Sequence, residues 1–104
     1  MRLKLFTAFV AVSVTTTLAV AQSTGEPVFK KNCVMCHGAD GTGKTKMGQK
    51  LGAADLTSND IQSLSDEALA QTVRNGKGKM PAFDKTLSAE EIASVVQYVR
   101  TLRK

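Results

Sequence analysis

The sequence predicts an all-α domain, and three observations support this prediction. Apolar residues recur at helical spacing in two segments of the C-terminal half, no segment alternates apolar and polar residues as a strand would, and five of the eight glycines fall in Gly38–Leu56. With 104 residues, a net charge of +5 and two cysteines, the chain is at most one small domain. These numbers exclude a multidomain enzyme, a membrane protein with several spans and a disulfide-rich scaffold.

The first 21 residues have the features of a secretory signal peptide: a basic start, an apolar run over residues 5–20 and a small-residue site that ends at Ala21. An uncleaved N-terminal anchor is the alternative. A membrane span needs roughly 20 predominantly apolar residues, whereas this run is shorter and contains several hydroxyl side chains. We therefore expect residues 1–21 to be removed before Gln22, and residues 22–104 to form a domain in the periplasm.

The remaining 83 residues contain few large apolar side chains for a core. Leucine, isoleucine, valine and phenylalanine together number 16 of the 83, just under the one-fifth level that is typical of disorder. A chain of about 80 residues is marginally stable even with a normal core. The two cysteines stand three positions apart, so a disulfide between them would close too short a loop to stabilise the fold. We therefore expect either a loose fold or a bound group that fills its centre.

Nucleic acid is not an expected partner. Without Arg2 and Lys4 the chain has 12 basic and 9 acidic side chains, which gives a net charge of only +3. Its aromatic residues are Phe29, Phe83 and Tyr98, and these are too few and too dispersed to form a base-stacking surface.

The first helix of this domain is expected to open at Pro27, which fits a first helical position, and to run to about Cys36. The stretch that follows, Gly38–Leu56, holds glycines and charges without a sustained period. We expect a long loop there, and a loop of that length in a compact domain is usually functional. The shared face of the first helix consists of Val28, Phe29, Asn32 and Cys33.

The later helices have clear start signals. Ser65 caps a helix with an acidic first turn, and Asn75-Gly76 provides its left-handed stop. Ser88-Ala89-Glu90-Glu91 is a capping box that opens the last helix. We also expect a short helical turn near residues 58–62 and a loop over residues 77–87. The apolar residues of the last helix recur at helical spacing: Ile92, Val95, Val96, Val99 and Leu102.

Residues 33–37 read Cys-Val-Met-Cys-His, and this C-x-x-C-H spacing is the signature of c-type haem attachment. Two thiols three residues apart lie on one side of a helical turn, so each can bond one of the two haem vinyl groups. The next residue, His37, brings an imidazole beneath the iron as an axial ligand. The predicted cofactor is therefore one haem c, held covalently by Cys33 and Cys36, and it would fill the thin core. Export agrees with this prediction, because the attachment is made outside the cytoplasm.

Three other interpretations of the two cysteines are weaker. A thioredoxin-type redox pair would lie beside a β-α-β pattern, and none is visible in the sequence. A zinc site needs four ligands, whereas the chain offers two cysteines and a single histidine. A structural disulfide does not explain how a domain with so few large apolar side chains could form a stable core.

A second axial ligand is expected from the opposite face of the haem, and methionine is the natural candidate because the one histidine is already used. Met80 lies between flexible glycines and Pro81, in a loop between two helices, 43 residues beyond His37. Met47 is ten residues from His37, but ten residues can extend to roughly 33 Å, so reach alone does not exclude it. We predict Met80 as the ligand and packing at the haem edge as the role of Met47.

Residues 38–45 also match G-x-x-x-x-G-K-[ST], the P-loop pattern that binds phosphate. Phosphate binding by this pattern needs a preceding buried strand and a following helix in a parallel sheet. Here the preceding residues are the C-x-x-C-H motif, and the chain has no room for such a sheet. We therefore treat the match as chance.

These features resemble the class I c-type cytochromes, and in particular their small bacterial monohaem members. The resemblance covers nearly all of residues 25–103, and it rests on Cys33–His37, the turn Met80–Phe83 and the last helix with Tyr98. It implies three to four helices wrapped around one haem. It also implies a carrier of single electrons rather than an enzyme.

The resemblance has further consequences for the haem surroundings. It implies that the His37 ring donates to a backbone carbonyl, which the sequence does not identify. Relatives often hold the haem propionates with tryptophan or arginine, but this chain has no tryptophan, so Gln49, Lys50 or a backbone amide remain as candidates. The implied crossing of the first and last helices brings Gly25 and Phe29 to Val95 and Tyr98.

The expected partners are acidic redox proteins such as a terminal oxidase, a reductase or a dehydrogenase. Six lysines near the haem motifs can steer such partners as a group. We expect a monomer that docks only transiently on membrane complexes. Two alternatives remain, a haem sensor or peroxidase-like protein whose methionine leaves the iron, and a small cytochrome subunit of a dehydrogenase complex. The six lysines expected to steer acidic partners are Lys44, Lys46, Lys50, Lys77, Lys79 and Lys85.

Overall fold

The computed structural model describes residues 2–15 and 21–104. The described residues contain no strand, only an isolated antiparallel bridge between Lys77 and Met80. The prediction of an all-α fold is therefore confirmed. The helices in chain order are α1 (Ala21–Asn32), α2 (Val34–His37), α3 (Lys46–Leu51), α4 (Asn59–Gln62), α5 (Asp66–Asn75) and α6 (Ala89–Arg100).

The predicted signal peptide is covered only in part. Met1 and residues 16–20, which include part of the small-residue site, lie outside the described residues, and residues 2–15 form no helix. Within the two described ranges, none of the helices combines the length and the apolar character that a membrane span requires.

The core is built around α6, which packs against α1 and α5. At the crossing of α1 with α6, a Cβ at Gly25 would overlap the backbone carbonyl oxygen of Ser94. The rings of Phe29 and Tyr98 meet there with centroids 5.1 Å apart. The two backbones therefore approach closely, as the resemblance implies. The buried apolar side chains are Phe29, Leu69, Leu87, Ile92, Val95 and Val96.

The first helix differs from its prediction at both ends. α1 begins at Ala21 and Pro27 lies inside it, so the prediction that Pro27 opens the helix was wrong. Proline inside a helix removes one backbone hydrogen bond and costs about 3 kcal/mol. The same turn contains Gly25, which packs closely against α6. At its other end α1 stops at Asn32, and the residues up to His37 form the separate turn α2.

The predicted starts of the later helices are confirmed. The side chains of Ser58, Ser65 and Ser88 accept backbone hydrogen bonds at the starts of α4, α5 and α6. Glu91 completes the capping box by accepting a hydrogen bond from Ser88 N at 3.0 Å. α5 ends at Asn75, so the predicted stop at Asn75-Gly76 is confirmed in position. Gly76 has a φ of +75°, which favours glycine, but its ψ of 171° differs from the left-handed helical value that was expected.

The stretch Gly38–Leu56 is not the uninterrupted loop that the sequence predicts. It contains α3, because the Thr45 hydroxyl accepts a hydrogen bond from Gly48 N at 2.9 Å and so caps the first turn. Gly52, with φ +70° and ψ 39°, ends α3 in the left-handed conformation. A helix of six residues is too short to show an apolar period, which is why the pattern did not predict it.

Arg100 joins the end of α6 to the start of α5. Its Nε atom donates to Asp66 Oδ1 at 2.9 Å, and its Nη2 atom forms an ion pair with the same oxygen at 2.9 Å. Gln97 Nε2 donates to Asp66 Oδ2 at 3.1 Å. The hydrogen bonds from Arg100 and then Gln97 lower the pKa of Asp66 below its ordinary value.

We expect Asp66→Asn to lose a pH-dependent part of the stability. Because the folded-state pKa of Asp66 is lowered, its carboxylate stabilises the fold above the unfolded-state pKa, about 3.9, and this contribution disappears as pH falls through the folded-state value. The side chain is 61% exposed, so solvent screening keeps the effect small. Thermal melts should show a lower Tm for the variant at pH 7, and the two Tm values should converge as the pH falls through the folded-state pKa of Asp66. A Tm difference that stays constant with pH would contradict this.

Candidate functional site

One helical turn carries three of the four predicted site residues. Cys33 immediately precedes α2, and its carbonyl oxygen accepts hydrogen bonds from Cys36 N at 3.3 Å and from His37 N at 2.9 Å. The two cysteines form no disulfide with each other, and both are half-buried. The structure therefore places two thiols and the imidazole on a single turn.

The environment of Cys33 is unlike that of a redox-active thiol. Burial, and secondarily the neighbouring Cys36, raise the pKa of the Cys33 thiol to about 11. The reactive cysteine of thioredoxin has a lowered pKa of about 7. A raised thiol pKa is the opposite of what thiol–disulfide exchange requires, so it weakens that interpretation of the motif.

His37 is oriented by a hydrogen bond from its ring. The Nδ1 atom lies 3.0 Å from the backbone carbonyl oxygen of Ala54. A carbonyl oxygen can only accept, so Nδ1 carries a proton, and in the neutral imidazole Nε2 then keeps its lone pair. In a metal-binding histidine, a hydrogen bond from the ring nitrogen that does not bind the metal fixes the tautomer and the orientation of the ring plane. Ala54 is the carbonyl that the sequence could not identify.

The Ala54 carbonyl reaches His37 because two loops lie against each other. A Cβ at Gly43 would lie 2.6 Å from Ala53 O and 3.1 Å from Ala54 O, so only glycine permits this approach. Gly43 N also donates to His37 O at 2.7 Å, and Ala53 N donates to Gly48 O at 2.8 Å. The glycine-rich stretch Gly38–Leu56 therefore positions the histidine.

α3 holds the turn of the thiols from the other side. The Thr45 hydroxyl donates to Met35 O at 2.7 Å, with Cys36 O a second acceptor at 3.0 Å. The same hydroxyl accepts a hydrogen bond from Gly48 N. It therefore bonds carbonyl groups of α2 and an N–H group in the first turn of α3, which have no partner within their own helices. A Cβ at Gly48 would overlap Cys36 O and lie 2.5 Å from Gly43 O. The backbones of α2 and α3 are therefore in direct contact.

Met80 lies in a separate loop that is anchored to α5. Lys77 N donates to Met80 O at 3.1 Å, and Met80 N donates to Lys77 O at 2.9 Å. A Cβ at Gly76 would lie 2.6 Å from Met80 O. Phe83 N donates to Val73 O at 3.0 Å, which folds the loop back on the last turns of α5. Met80 is thus half-buried and held by backbone contacts on both sides.

Met35 and Met47 are more exposed than Met80. Met47 on α3 is 39% exposed, and Met35 between the two cysteines is 73% exposed. Met35 O accepts a hydrogen bond from the Thr45 hydroxyl at 2.7 Å, and Met47 lies within α3. The assignment of Met80 rather than Met47 as the second donor stays a prediction.

The P-loop match does not correspond to a phosphate site. α2, not a strand, precedes the loop, and the N–H groups of the loop bond within the chain. Gly43 N donates to His37 O at 2.7 Å and Thr42 N donates to Asp40 Oδ1 at 3.1 Å. The hydrogen bonds to Asp40 from the Thr42 backbone N–H and then from the Thr42 hydroxyl hold the pKa of Asp40 below its ordinary value, so the loop carries its own anion. Binding of a phosphate is disfavoured there.

The donor set and its surroundings fit a covalently bound haem. Thiols form the thioether bonds, and an imidazole nitrogen and a thioether sulfur are ligands that haem iron accepts. A flat apolar group also matches the apolar side chains that α2, α3, α4, their loops and the loop between α5 and α6 leave only half-buried: Val34, Leu51, Leu56, Ile61, Met80 and Phe83. Proteins of this kind, in which a few helices surround one haem joined to a C-x-x-C-H turn, form the class of small c-type cytochromes.

Known proteins resemble the chain over most of its length. Residues 20–99 match the family described as "Cytochrome C oxidase, cbb3-type, subunit III". Cytochrome c6 of Bryopsis maxima is 44% identical over 75 residues, which cover 72% of this chain and 84% of the relative. The cbb3-type cytochrome c oxidase subunit CcoP of Azospirillum brasilense is 37% identical over 86 residues. That match covers 81% of this chain but 29% of the subunit.

Solved structures of c-type cytochromes also resemble the chain. The KustC0563 c-type cytochrome has a TM-score of 0.72 and 32% identity, and the comparison covers 77% of this chain and 98% of that one. Cytochrome c6C from Synechococcus sp. PCC 7002 has a TM-score of 0.60 and 33% identity, and the comparison covers 75% of this chain and 92% of that one. The chain belongs to the cytochrome c family of electron-transfer proteins and carries covalently bound haem c.

Proposed function

We propose that this protein is an exported carrier of single electrons, with one haem c attached to Cys33 and Cys36 and ligated by His37 and Met80. The observation that carries the proposal is the hydrogen bond from His37 Nδ1 to Ala54 O. It leaves Nε2 free on the same turn as both thiols, and attachment and ligation at one turn require this arrangement.

When bound, the haem iron supplies a reversible one-electron couple. The chain holds the two donors in place, since Thr45 and Ala54 fix the turn of His37 while Gly76 and the bridge to Lys77 fix Met80. Because neither donor has to move between the oxidised and reduced states, little reorganisation accompanies electron transfer. The thioether sulfur of methionine favours the reduced iron and raises the reduction potential.

Haem attachment is tested directly on the exported wild-type protein. A denaturing gel stained for haem peroxidase activity should show a stained band, and mass spectrometry of peptides should find the haem on the two cysteines of residues 33–37. A band without stain, or peptides with free thiols, would refute the proposal. Either result would instead revive a thiol–disulfide function.

Export is proposed from the N-terminal segment. The large apolar side chains of residues 2–15 are almost wholly exposed, and Phe9 is 98% exposed. A segment with these exposed side chains adds nothing to the core, which supports its removal before Gln22 and a periplasmic location for residues 22–104. Intact mass measurement on a periplasmic fraction should give a chain that begins at Gln22. A longer chain in the membrane fraction would favour the uncleaved anchor.

Partner binding is proposed to depend on exposed lysines in the Met80 loop and in the stretch around α3. We expect the rate of electron transfer to an acidic partner, such as a solubilised terminal oxidase, to fall as ionic strength rises. Replacing Lys77 and Lys79 by glutamate should lower the association rate about tenfold at low salt. The matched control is Lys31→Glu on α1, which should have a smaller effect. A rate without salt dependence would contradict the proposal, and sedimentation should show a monomer.

A second candidate is a role as a cytochrome subunit or domain of a larger oxidase or dehydrogenase complex. The family match and the similarity to CcoP favour it, and it leaves the haem chemistry unchanged. Mild solubilisation of membranes distinguishes the two candidates. A free carrier should be recovered in the soluble fraction, whereas a subunit should copurify with the complex in a fixed ratio.

A further inference from the structure

Gln62 is a buried polar side chain to which the proposed function assigns no role. It lies at the end of α4 with 4% of its surface exposed. Its Nε2 atom donates to Leu56 O at 2.7 Å and to Val99 O at 3.0 Å. Each bond satisfies a backbone carbonyl that is costly to leave without a partner when buried. Gln62 therefore holds two backbone segments in fixed positions.

The first of these segments also positions His37. Leu56 follows Ala54 by two residues, and Ala54 O accepts the hydrogen bond from His37 Nδ1. Leu56 N donates to Gly41 O at 2.7 Å. Leu56 is thus held through its N–H by one loop and through its carbonyl by Gln62. Both bonds therefore hold the chain two residues beyond the Ala54 carbonyl.

Arg100 holds Gln62 in turn. Its Nη1 atom donates to Gln62 O at 2.9 Å, and its Nε atom donates to Asp66. The preceding residue, Val99, accepts from the Gln62 side chain. The end of α6 and the end of α4 therefore exchange hydrogen bonds in both directions. A continuous set of hydrogen bonds runs from α6 through Gln62 to the segment that orients the histidine.

We infer that Gln62 is a positioning residue for His37, which acts through the Ala54 carbonyl. The inference rests on the proposed role of His37 as an iron ligand. A well-aligned hydrogen bond from Nδ1 makes the imidazole more basic, and a more basic imidazole stabilises the oxidised state. Gln62 thereby keeps the reduction potential lower than it would be with a loose Ala54 carbonyl.

The test uses Gln62→Leu in the haem-loaded protein, a change that keeps a side chain of similar size and removes both donors. We expect the reduction potential to rise. The expected change in the equilibrium constant for reduction is about threefold, which is about 28 mV for one electron. We also expect the His37 Nδ1–H proton to exchange faster with D₂O, measured by NMR on the reduced protein.

The matched control is Ser88→Ala, which removes the cap at the opposite end of α6. It destabilises the same helix without touching the segment around Ala54, so the potential and the proton exchange should stay at their wild-type values. Arg100→Lys is the second variant if Gln62→Leu does not fold. It keeps the charge but loses the forked geometry of the guanidinium, and it should shift both measurements in the same direction by a smaller amount.

Unchanged potential and proton exchange in Gln62→Leu would overturn the inference, and so would an equal shift in Ser88→Ala. Gln62 would then be only a structural link between α4 and α6. If Gln62→Leu does not fold, the same criteria apply to Arg100→Lys. A wild-type protein without a one-electron couple would refute the proposed function itself, so the two failures are distinguishable.

Discussion

Gly48→Ala is expected to separate α2 from α3 and to lower the free energy of unfolding by about 3 kcal/mol. The new Cβ would overlap Cys36 O and lie 2.5 Å from Gly43 O. Both are backbone atoms, which cannot rotate away as a side chain could. Helix propensity alone predicts the opposite, because alanine stabilises a helix relative to glycine by about 1 kcal/mol. The sign of the measured change therefore shows whether contact between the two backbones determines the stability.

The matched control for this variant is Gly52→Ala. Gly52 has φ +70° and nothing within 4 Å of an added Cβ, so its substitution introduces only backbone strain, about 1–2 kcal/mol. Denaturant unfolding of both haem-loaded variants gives the two free energies, and the yield of haem-loaded protein gives a second measure. Gly48→Ala should also lower that yield, since the contact it breaks lies beside Cys36. A Gly48→Ala protein as stable as the wild type would contradict the close packing of α2 and α3.

Features that depend on neighbouring residues could be predicted from the sequence. The capping box of Ser88 and Glu91, the cap at Ser65 and the C-x-x-C-H turn each lie within five consecutive residues. Their geometry depends on local hydrogen bonds, which a pattern of residue types is enough to specify. The last helix was predicted well for a related reason, because its apolar period extends over three turns.

Features that depend on distant residues could not be predicted. The hydrogen bond from His37 to Ala54 joins residues 17 apart, and that from Gln62 to Val99 joins residues 37 apart. No local pattern marks a backbone carbonyl as an acceptor, so neither partner could be read from the sequence. The helical turns before Pro27 were missed for the same reason. Local rules place proline at a helix start, and only the packing of α1 on α6 overrides them.

The glycines show most clearly what the sequence alone does not predict. A count of glycines in Gly38–Leu56 predicts a loop, and a loop is present on both sides of α3. What the count does not reveal is that Gly43 and Gly48 are needed for close contact between backbones rather than for flexibility. Flexible and close-packed glycines look identical in a sequence, and only the structure distinguishes them.

Met80→Ala is expected to change the haem site more than any other single substitution outside residues 33–37. Under the proposed ligation, it removes one of the two donors and leaves a shortened side chain that cannot reach the iron. The thioether favours the reduced iron, so its loss should lower the reduction potential, on the order of 0.2 V within the range of about 0.8 V that axial ligands span. The weak far-red charge-transfer band of the oxidised protein should disappear.

The matched control is Met47→Ala, which removes the same type of side chain from α3. Met47 is 39% exposed, and its loss should leave the spectrum and the potential close to those of the wild type. A reversed pattern, with the far-red band lost in Met47→Ala and kept in Met80→Ala, would transfer the ligand role to Met47.

Carbon monoxide binding to the reduced proteins separates the carrier from the sensor or peroxidase-like alternative. Lys77 and Gly76 hold the Met80 loop by backbone contacts, so the wild-type protein should resist carbon monoxide while Met80→Ala binds it readily. If the wild-type protein bound carbon monoxide as readily as the variant, Met80 would be a displaceable ligand. A displaceable methionine would leave the iron open to small molecules, and the exposed lysines would then have to be explained without electron transfer.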